Sequence, residues 1–583
     1  MSFLPVSREE IKARGWKQAD FIIVTGDAYV DHPSFGTAII SRLLERFGYK
    51  VAVLAQPGWK DAEDFRKLGR PRLGFLINSG SVDSMVNNYS VFRHRRSTDR
   101  YSPGGLRGKC PDRAVTVYTN RAREAFKNVP VIIGGLEASL RRFGHYDYWD
   151  DEVRRSVLMD SKADMLIYGM GERAVLEIAE ALDSGIDVKD ITWIKGTCIR
   201  SREIPDGEET ILLPSFDEIK ANKEKYCRSF ALQYSNSDSI SGKRLAERYS
   251  EIFVIQNSPQ PVLERQELDD LYELPYERES HPSYDAYGGV PALAEVKFSI
   301  TSSRGCFGGC SFCALTYHQG RQVRSRSGDS IIREAEILSG MKDFKGYIHD
   351  VGGPTANFRI PSCEKQLERG VCTGRDCLFP EPCPHLRADH SEYMEILKKL
   401  RALSGIKKVF IRSGIRYDYI LADKNGEKFI EELCRHHISG TLKIAPEHIS
   451  PGVLRYMHKP QEKVFRDFSR IYSETNRKLG KKQYLIPYFI SSHPGCSLDD
   501  AVDLASYLKK SGFVPDQVQD FYPTPGTLST CMYYTEMDPF TLEKIYVPRT
   551  AEEKKMQRAL LHFNKKENRE LVKEALGKTG RKL

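Results

Sequence analysis

The chain has 583 residues, 40% of them hydrophobic and 29% charged, with a formal net charge of +9. Its length suits roughly two to four domains with sizeable cores, and its composition excludes a fibrous or disordered protein. No stretch approaches the roughly 18 consecutive apolar residues of a membrane span, and the opening Met1-Ser-Phe-Leu-Pro lacks a secretory pattern, so a cytoplasmic protein without membrane contact is expected.

Residues 21–26 form a short apolar run ending at glycine, residues 34–47 read as a helix and residues 50–55 as a second strand, a βαβ opening. Further strands are expected at residues 73–77, 115–118, 129–135 and 164–169. Strands alternating with helices over residues 1–200 predict a doubly wound, Rossmann-like sheet whose crevice lies at the strands' carboxyl ends. Gly26, Asp27, Gly80, Gly134, Gly135 and Glu172 fall there. Residues 201–285 are polar and read as a connecting segment leading into a core over residues 286–547.

Residues 296–301 read as a strand, and the loop Arg304-Gly-Cys-Phe-Gly-Gly-Cys-Ser-Phe-Cys follows it. Its C-x3-C-x2-C spacing lets Cys306, Cys310 and Cys313 hold three corners of an iron–sulfur cubane. The fourth iron stays open to a cofactor or substrate, whereas a cluster with four thiolates mainly carries electrons. Gly305, Gly308 and Gly309 let the backbone wrap around the sulfurs. The competing readings are a zinc knuckle, which pairs C-x2-C with a second ligand pair, and three buried structural thiols. Strands are expected again at residues 345–350, 408–413, 441–445, 484–490 and 517–521, six with the cysteine strand.

All thirteen cysteines together are an odd number, seven of them in two short segments, which argues for reduced thiols and metal ligation in place of disulfides. The second segment is an insertion at residues 360–390 carrying Cys363, Cys372, Cys377 and Cys383. Too irregular to build a core, it reads as metal-stapled, and a tetrahedral S4 set suits zinc and an auxiliary iron–sulfur cluster equally. His385 is a substitute ligand; reduced thiols in an insertion are the plain alternative. Residues 548–583 form a basic tail, with eleven Lys and Arg against five Glu from Arg549 onward. Met556, Leu560, Phe563, Leu571 and Leu576 give it helical spacing, either as a solvated helix or as a surface for an anionic partner such as RNA.

The cysteine loop resembles that of radical S-adenosylmethionine (radical SAM) enzymes. Together with Asp350-Val-Gly-Gly-Pro-Thr, the second cysteine set, Lys443-Ile-Ala-Pro-Glu-His and Asp520-Phe-Tyr-Pro-Thr-Pro-Gly-Thr, it looks like the YgiQ-type radical SAM proteins over nearly the whole chain. The resemblance implies an α/β protein: a partial (β/α)6 barrel behind a doubly wound, cobalamin-binding-like domain, with a helical basic tail. It implies a [4Fe-4S] cluster on Cys306, Cys310 and Cys313, S-adenosylmethionine, and a reductant such as flavodoxin or ferredoxin. The expected chemistry is reductive cleavage to a 5′-deoxyadenosyl radical acting on an unknown substrate, RNA and protein being the classes considered.

Gly352 and Gly353 match a Gly-Gly-Glu motif whose backbone holds the methionine amino group in such relatives, with Pro354 replacing the acid. Arg412 and Ser413 follow the third strand, where a guanidinium suits the methionine carboxylate, a surface salt bridge being the plain alternative. Glu447 is the ribose candidate, against a structural carboxylate. A cobalt-ligating loop reads D-x-H-x-x-G, whereas here Asp31-His-Pro-Ser-Phe-Gly places His32 one position early, so the reading is a fold without its usual corrinoid. The rival functions are a corrinoid-dependent methyltransferase, an RNA-modifying enzyme, and a non-enzymatic iron–sulfur sensor or electron carrier.

Overall fold

The computed structural model describes residues 2–515 and 518–583, so Gln517, expected to open the last strand, lies outside the described residues. The chain divides into two compact units: residues 1–297 with 317–319, and residues 298–316 with 320–583.

The first unit is built on a nine-stranded sheet. Its parallel strands are β1 (Phe21–Thr25), β2 (Val51–Ala55), β3 (Gly74–Asn78), β4 (Val131–Ile133) and β5 (Met165–Ile167). They lie in the order 2-1-3-4-5, the doubly wound arrangement that puts a crevice between β1 and β3. All five residues of β1 are buried, as expected where helices cover both faces of a parallel sheet. Helix α1 (Gly36–Arg46) makes the first crossover and buries Ala38, Ile39, Leu43 and Leu44.

Two expectations change. Residues 115–118 are no strand: they lie in helix α2 (Ala114–Ala125), which buries Val115, Tyr118, Thr119 and Ala122. That helical spacing outweighs the β-branched composition. The polar segment 201–285 likewise completes the sheet. Strands β6 (Thr197–Ser201), β7 (Thr210–Leu212), β8 (Arg244–Tyr249) and β9 (Ile252–Gln256) extend it in the order 7-8-9-6 beside β5, with β6 and β9 antiparallel to their neighbours. Buried polar residues such as Arg244, Glu247 and Gln256 hid these strands.

The second unit is a run of parallel pairings between successive elements. Strand β10 (Ser299–Thr301) pairs with β12 (Asp350–Gly352), and β11 (Tyr347–Ile348), just before it, pairs with β13 (Lys408–Val409). Ile415 bridges to Ile444 in β14 (Thr441–Glu447), which pairs with β15 (Tyr484–Ser491), and β15 pairs with β16 (Gln519–Asp520). Between them lie helices such as α3 (Gly328–Ser339), α4 (Ser391–Ala402) and α5 (Glu462–Lys478). Phe465, Phe468 and Tyr472 of α5 repeat at helical spacing and join Ile300, Val351, Val409 and Ile444 in one core. The terminal segment forms α6 (Ala551–Leu561) and α7 (Arg569–Thr579). Met556 and Leu560 are buried, Lys578 pairs with Glu552 at 2.6 Å, and Arg581 pairs with Asp503, so part of the basic charge is neutralised within the chain.

Candidate active site

The cysteine loop leaves the carboxyl end of β10, where parallel-strand enzymes gather their chemistry. Ser302 N–H donates to the Gly352 carbonyl at 2.6 Å, docking the start of the loop on the end of β12. Two loop glycines are required by geometry. Gly305 has φ +76°, and a Cβ there would run into the Gln322 carbonyl; Gly309 has φ +65°, and its Cβ would lie 2.8 Å from the Asp376 carboxyl carbon. Further on, Ser311 N–H donates to the Met457 carbonyl at 3.1 Å and its hydroxyl accepts from Ser529 at 2.8 Å.

Cys306, Cys310 and Cys313 are half-buried free thiols. Burial raises the Cys306 thiol and pushes Cys313 up to about 12, and the neighbouring sulfurs add to both shifts, Cys310 acting on Cys306 and both acting on Cys313. Cys306 and Cys313, which resist ionising beside the Cys310 sulfur, belong to a donor set that a cationic iron centre would turn into thiolates. The residues therefore fit an iron–sulfur cluster. The Cys306 sulfur also lies 3.5 Å from the Thr355 hydroxyl.

Arg416 stands beside this loop. Its buried guanidinium forks onto Asp418 (Nε–Oδ1 2.8 Å, Nη2–Oδ2 2.5 Å) and donates from Nη1 to Cys310 Sγ at 3.4 Å and to the Gly308 carbonyl at 3.2 Å. Burial works against its charge, yet Asp418 and the sulfurs hold Arg416 protonated well above the ordinary range. Lys459 and Glu447 complete a buried charged group. Burial raises the Glu447 carboxyl while Lys459 and Arg416 oppose the rise. Glu447 ends β14 at an irregularity in its pairing with β15, with a left-handed φ of 68°.

The other expected residues sort differently. A Cβ on Gly352 would strike Ser413, and one on Gly353 would lie 2.6 Å from the Ser303 carbonyl. Ser413 donates its hydroxyl to Asp350, whose other oxygen accepts the backbone N–H groups of Arg412 and Ser413 at 2.8 and 3.1 Å. The Arg412 side chain is exposed, and the buried arginine of this strand end is Arg416, four residues on. Sequence reasoning passed over Arg416 although it closes the run Arg412-Ser-Gly-Ile-Arg.

In the insertion, burial pushes the Cys377 thiol up to about 11, Ser362 opposes the rise, and Cys363 and Cys372 add to it, placing three of the four sulfurs in one neighbourhood. Cys383 joins them through its N–H to the Cys377 carbonyl at 2.9 Å, whereas His385 is exposed. Among the described residues, no three His, Cys, Asp or Glu side chains converge as a single-ion site, in this set or in the first.

In the first unit, the crevice between β1 and β3 is filled by its own side chains. Asp27 is buried and accepts the N–H and hydroxyl of Ser81 at 2.7 Å each, and a Cβ on Gly80 would collide with its carboxylate. His32 is fully buried, its Nδ1 accepting Ser34 N–H at 3.1 Å, and Asp31 beside it is locked to Arg42.

Residues 3–299 match the family described as Radical SAM N-terminal, residues 300–524 the Radical SAM superfamily, and residues 516–583 a domain of unknown function, DUF3362. The fold and these matches make the chain a radical SAM enzyme, a class that uses a [4Fe-4S] cluster and S-adenosylmethionine. Within it, the chain belongs to the UPF0313 family, the YgiQ-type proteins of the sequence reading. A UPF0313 protein of Clostridium botulinum (strain 657 / Type Ba4) is 56% identical over all of this chain and 91% of its own length. One of Clostridium perfringens (strain 13 / Type A) is 55% identical over 99% of this chain and 88% of its own. Among solved structures, the radical S-adenosylmethionine methyltransferase TsrM from Kitasatospora setae, with cobalamin and a [4Fe-4S] cluster bound, covers 96% of this chain and 99% of its own at a TM-score of 0.50. Its 13% identity extends the likeness to the fold alone. Among the described residues no helix is long and apolar enough to cross a membrane.

Proposed function

We propose that Cys306, Cys310 and Cys313 hold the [4Fe-4S] cluster of this enzyme and that the open iron faces an S-adenosylmethionine site at the strand ends of a partial (β/α)6 barrel. The observation that carries this reading is the grouping of three half-buried thiols in the loop that leaves β10, close enough for Cys310 to act on Cys306 and for both to act on Cys313. When bound, the cluster supplies one electron to cleave the sulfonium and yield a 5′-deoxyadenosyl radical.

The chain's own residues bind and orient. Gly353 offers backbone for the methionine amino group, since the Gly352 carbonyl already accepts Ser302 N–H. Glu447 is assigned to the ribose, with Lys459 beside it to balance its charge. Arg412, exposed, is assigned to the methionine carboxylate only as ligand binding draws it in, while Ser413 holds that strand end through Asp350. The electron comes from a flavodoxin or ferredoxin in the reducing cytoplasm that thirteen free cysteines favour. A corrinoid is left out of this reading because Asp31-His32-Pro-Ser-Phe-Gly departs from the D-x-H-x-x-G spacing of a cobalt-ligating loop.

Anaerobic reconstitution with iron and sulfide, followed by S-adenosylmethionine and a reductant, tests the proposal. The wild type should release 5′-deoxyadenosine, and the Cys306→Ala/Cys310→Ala/Cys313→Ala variant should release none. Release by the triple variant would end the assignment, and a wild type that binds iron yet releases none would favour the sensor reading.

A further inference from the structure

We propose that Cys363, Cys372, Cys377 and Cys383 hold a second metal centre, a tetrathiolate site for zinc or an iron–sulfur cluster, and that this centre steadies the first cysteine loop through Asp376. The metal assignment stands by itself; the link to the loop rests on the reading that Cys306, Cys310 and Cys313 carry a cluster.

Residues 353–390 contain one short helix, Glu364–Arg369, and otherwise follow an irregular path. Three backbone hydrogen bonds fold that path onto itself. Arg387 N–H donates to the Ser362 carbonyl at 2.7 Å, Leu386 N–H to the Cys383 carbonyl at 2.8 Å, and Cys383 N–H to the Cys377 carbonyl at 2.9 Å. They tie the neighbourhood of Cys363 to Cys383 and Cys383 to Cys377, so cysteines spread over 21 residues are gathered around one turn. Between residues 371 and 388 the buried apolar side chains are Val371 and Leu378, a small core for ordering this stretch, and a thiophilic metal supplies a staple of the kind it lacks. The four sulfurs do not yet converge on a point. Closing them calls for side-chain rotation, which three half-buried thiols and the exposed Cys372 permit.

The link to the first loop is direct. Asp376 precedes Cys377, and its carboxyl sits where a Cβ on Gly309 would be, 2.8 Å away. His458 Nδ1 lies 2.7 Å from Asp376 and Arg321 lies 3.6 Å from it, while the His458 ring stacks on Phe379 with centroids 4.9 Å apart. Cys377 and Cys306 also pack against the same small core of Phe307, Phe358, Leu378 and Tyr419. A centre fixing Cys377 therefore fixes the residues on both sides of it against the cluster loop.

The test is metal and sulfide analysis of the full chain purified without oxygen, comparing wild type, Cys306→Ala/Cys310→Ala/Cys313→Ala, Cys372→Ser/Cys377→Ser and Asp376→Asn, with circular dichroism to establish that each is folded. The triple variant should keep one centre: zinc without sulfide and colourless, or iron with sulfide and a brown charge-transfer band. The double variant should lose that centre and keep the first. A triple variant devoid of metal, or a folded double variant with wild-type metal content, would overturn the assignment. For the link, a chelator should strip iron from the first cluster several-fold faster in Asp376→Asn and in the double variant than in wild type, and equal rates would discard it. If the first loop bound no cluster, the triple variant would match wild type in iron, a result separate from either outcome at the second site.

Discussion

Arg416 donates to the Sγ of Cys310 at 3.4 Å while its other nitrogens grip Asp418, so the Cys310 sulfur and a buried ion pair share one guanidinium. Hydrogen bonds to ligand sulfurs stabilise the reduced form of a cluster, and outer groups of this kind are worth about 10–100-fold in affinity or activity. Arg416→Lys keeps the charge and loses the fork. It should lower the midpoint potential of the reconstituted cluster and slow 5′-deoxyadenosine release by about 10-fold or more. Arg416→Ala strips Asp418 of its forked partner in the interior, a loss of about 3–5 kcal/mol that Lys459 nearby would reduce. Replacing both residues by apolar ones should restore stability without restoring the potential. Redox titration and thermal melting of the same samples separate these effects, and a potential unchanged in Arg416→Lys would reduce Arg416 to a structural role.

Glu447 is a non-glycine residue with φ +68°, buried, with a carboxyl that burial pushes upward. A left-handed backbone costs an ordinary residue about 1–2 kcal/mol, and such strain collects at ligand sites. Glu447→Gly should therefore leave stability unchanged or raise it by about 1 kcal/mol, while weakening S-adenosylmethionine binding about 10-fold or more. Glu447→Gln, nearly isosteric, should show the binding loss alone. Calorimetric titration with S-adenosylmethionine and a melting curve check both. Normal affinity in both variants would make Glu447 a purely structural carboxylate.

Gly305 joins two constraints, a φ of +76° and a Cβ position already occupied by the Gln322 carbonyl. Gly305→Ala cannot be absorbed by rotating a flexible side chain, because the obstacle is backbone. The loop should shift and the iron content of the first site should fall by more than half, with the melting temperature of the metal-free protein lowered by a few degrees. Gly320→Ala is the control: its φ is +83°, yet nothing lies within 4 Å of its Cβ position, so it carries the backbone strain without the collision. Iron lost equally from both variants would show that strain alone matters.

The sequence carried the chemistry of the second unit further than the architecture of the first. The close-set thiols of Cys306, Cys310 and Cys313 at a strand end were legible from their short spacing, and Gly305 and Gly309 because their conformations admit little else. The first five parallel strands were mostly legible as well, since β1 to β5 are buried on both faces and read as unbroken apolar runs. Residues 115–118 failed because Val and Thr in a short run look alike in strand and buried helix. Strands β7 to β9 failed because charged and polar residues such as Arg244, Glu247 and Gln256, buried in the fold, resemble a linker in the sequence. Arg416 and Asp418 are near neighbours in the chain, but Lys459 comes from a separate place, and no local pattern announces that folding will bury the three.

The N-terminal unit makes a prediction that depends on pH. Burial pushes the Asp27 carboxyl to about 7, against two opposing hydrogen bonds from Ser81, and burial does the same to Glu247 despite the hydroxyl of Tyr249 and the N–H of Gly144. An unfolded chain releases these protons near pH 4. Between about pH 4 and pH 7 the native state therefore holds protons that the unfolded state has lost, so stability falls as pH rises through that window and levels off above it. Each group is worth up to about 4 kcal/mol, the product of roughly three units and 1.36 kcal/mol. Asp27→Asn keeps an oxygen to accept from Ser81 and has no charge to bury. It should match wild type near pH 4.5, be more stable by a few kcal/mol at pH 8, and show a flatter dependence between them. All four tryptophans, Trp16, Trp59, Trp149 and Trp193, lie in this unit, so denaturant unfolding followed by tryptophan fluorescence reports on it selectively. Parallel curves for wild type and variant across pH 4.5–8 would mean that Asp27 is ionised in the native fold.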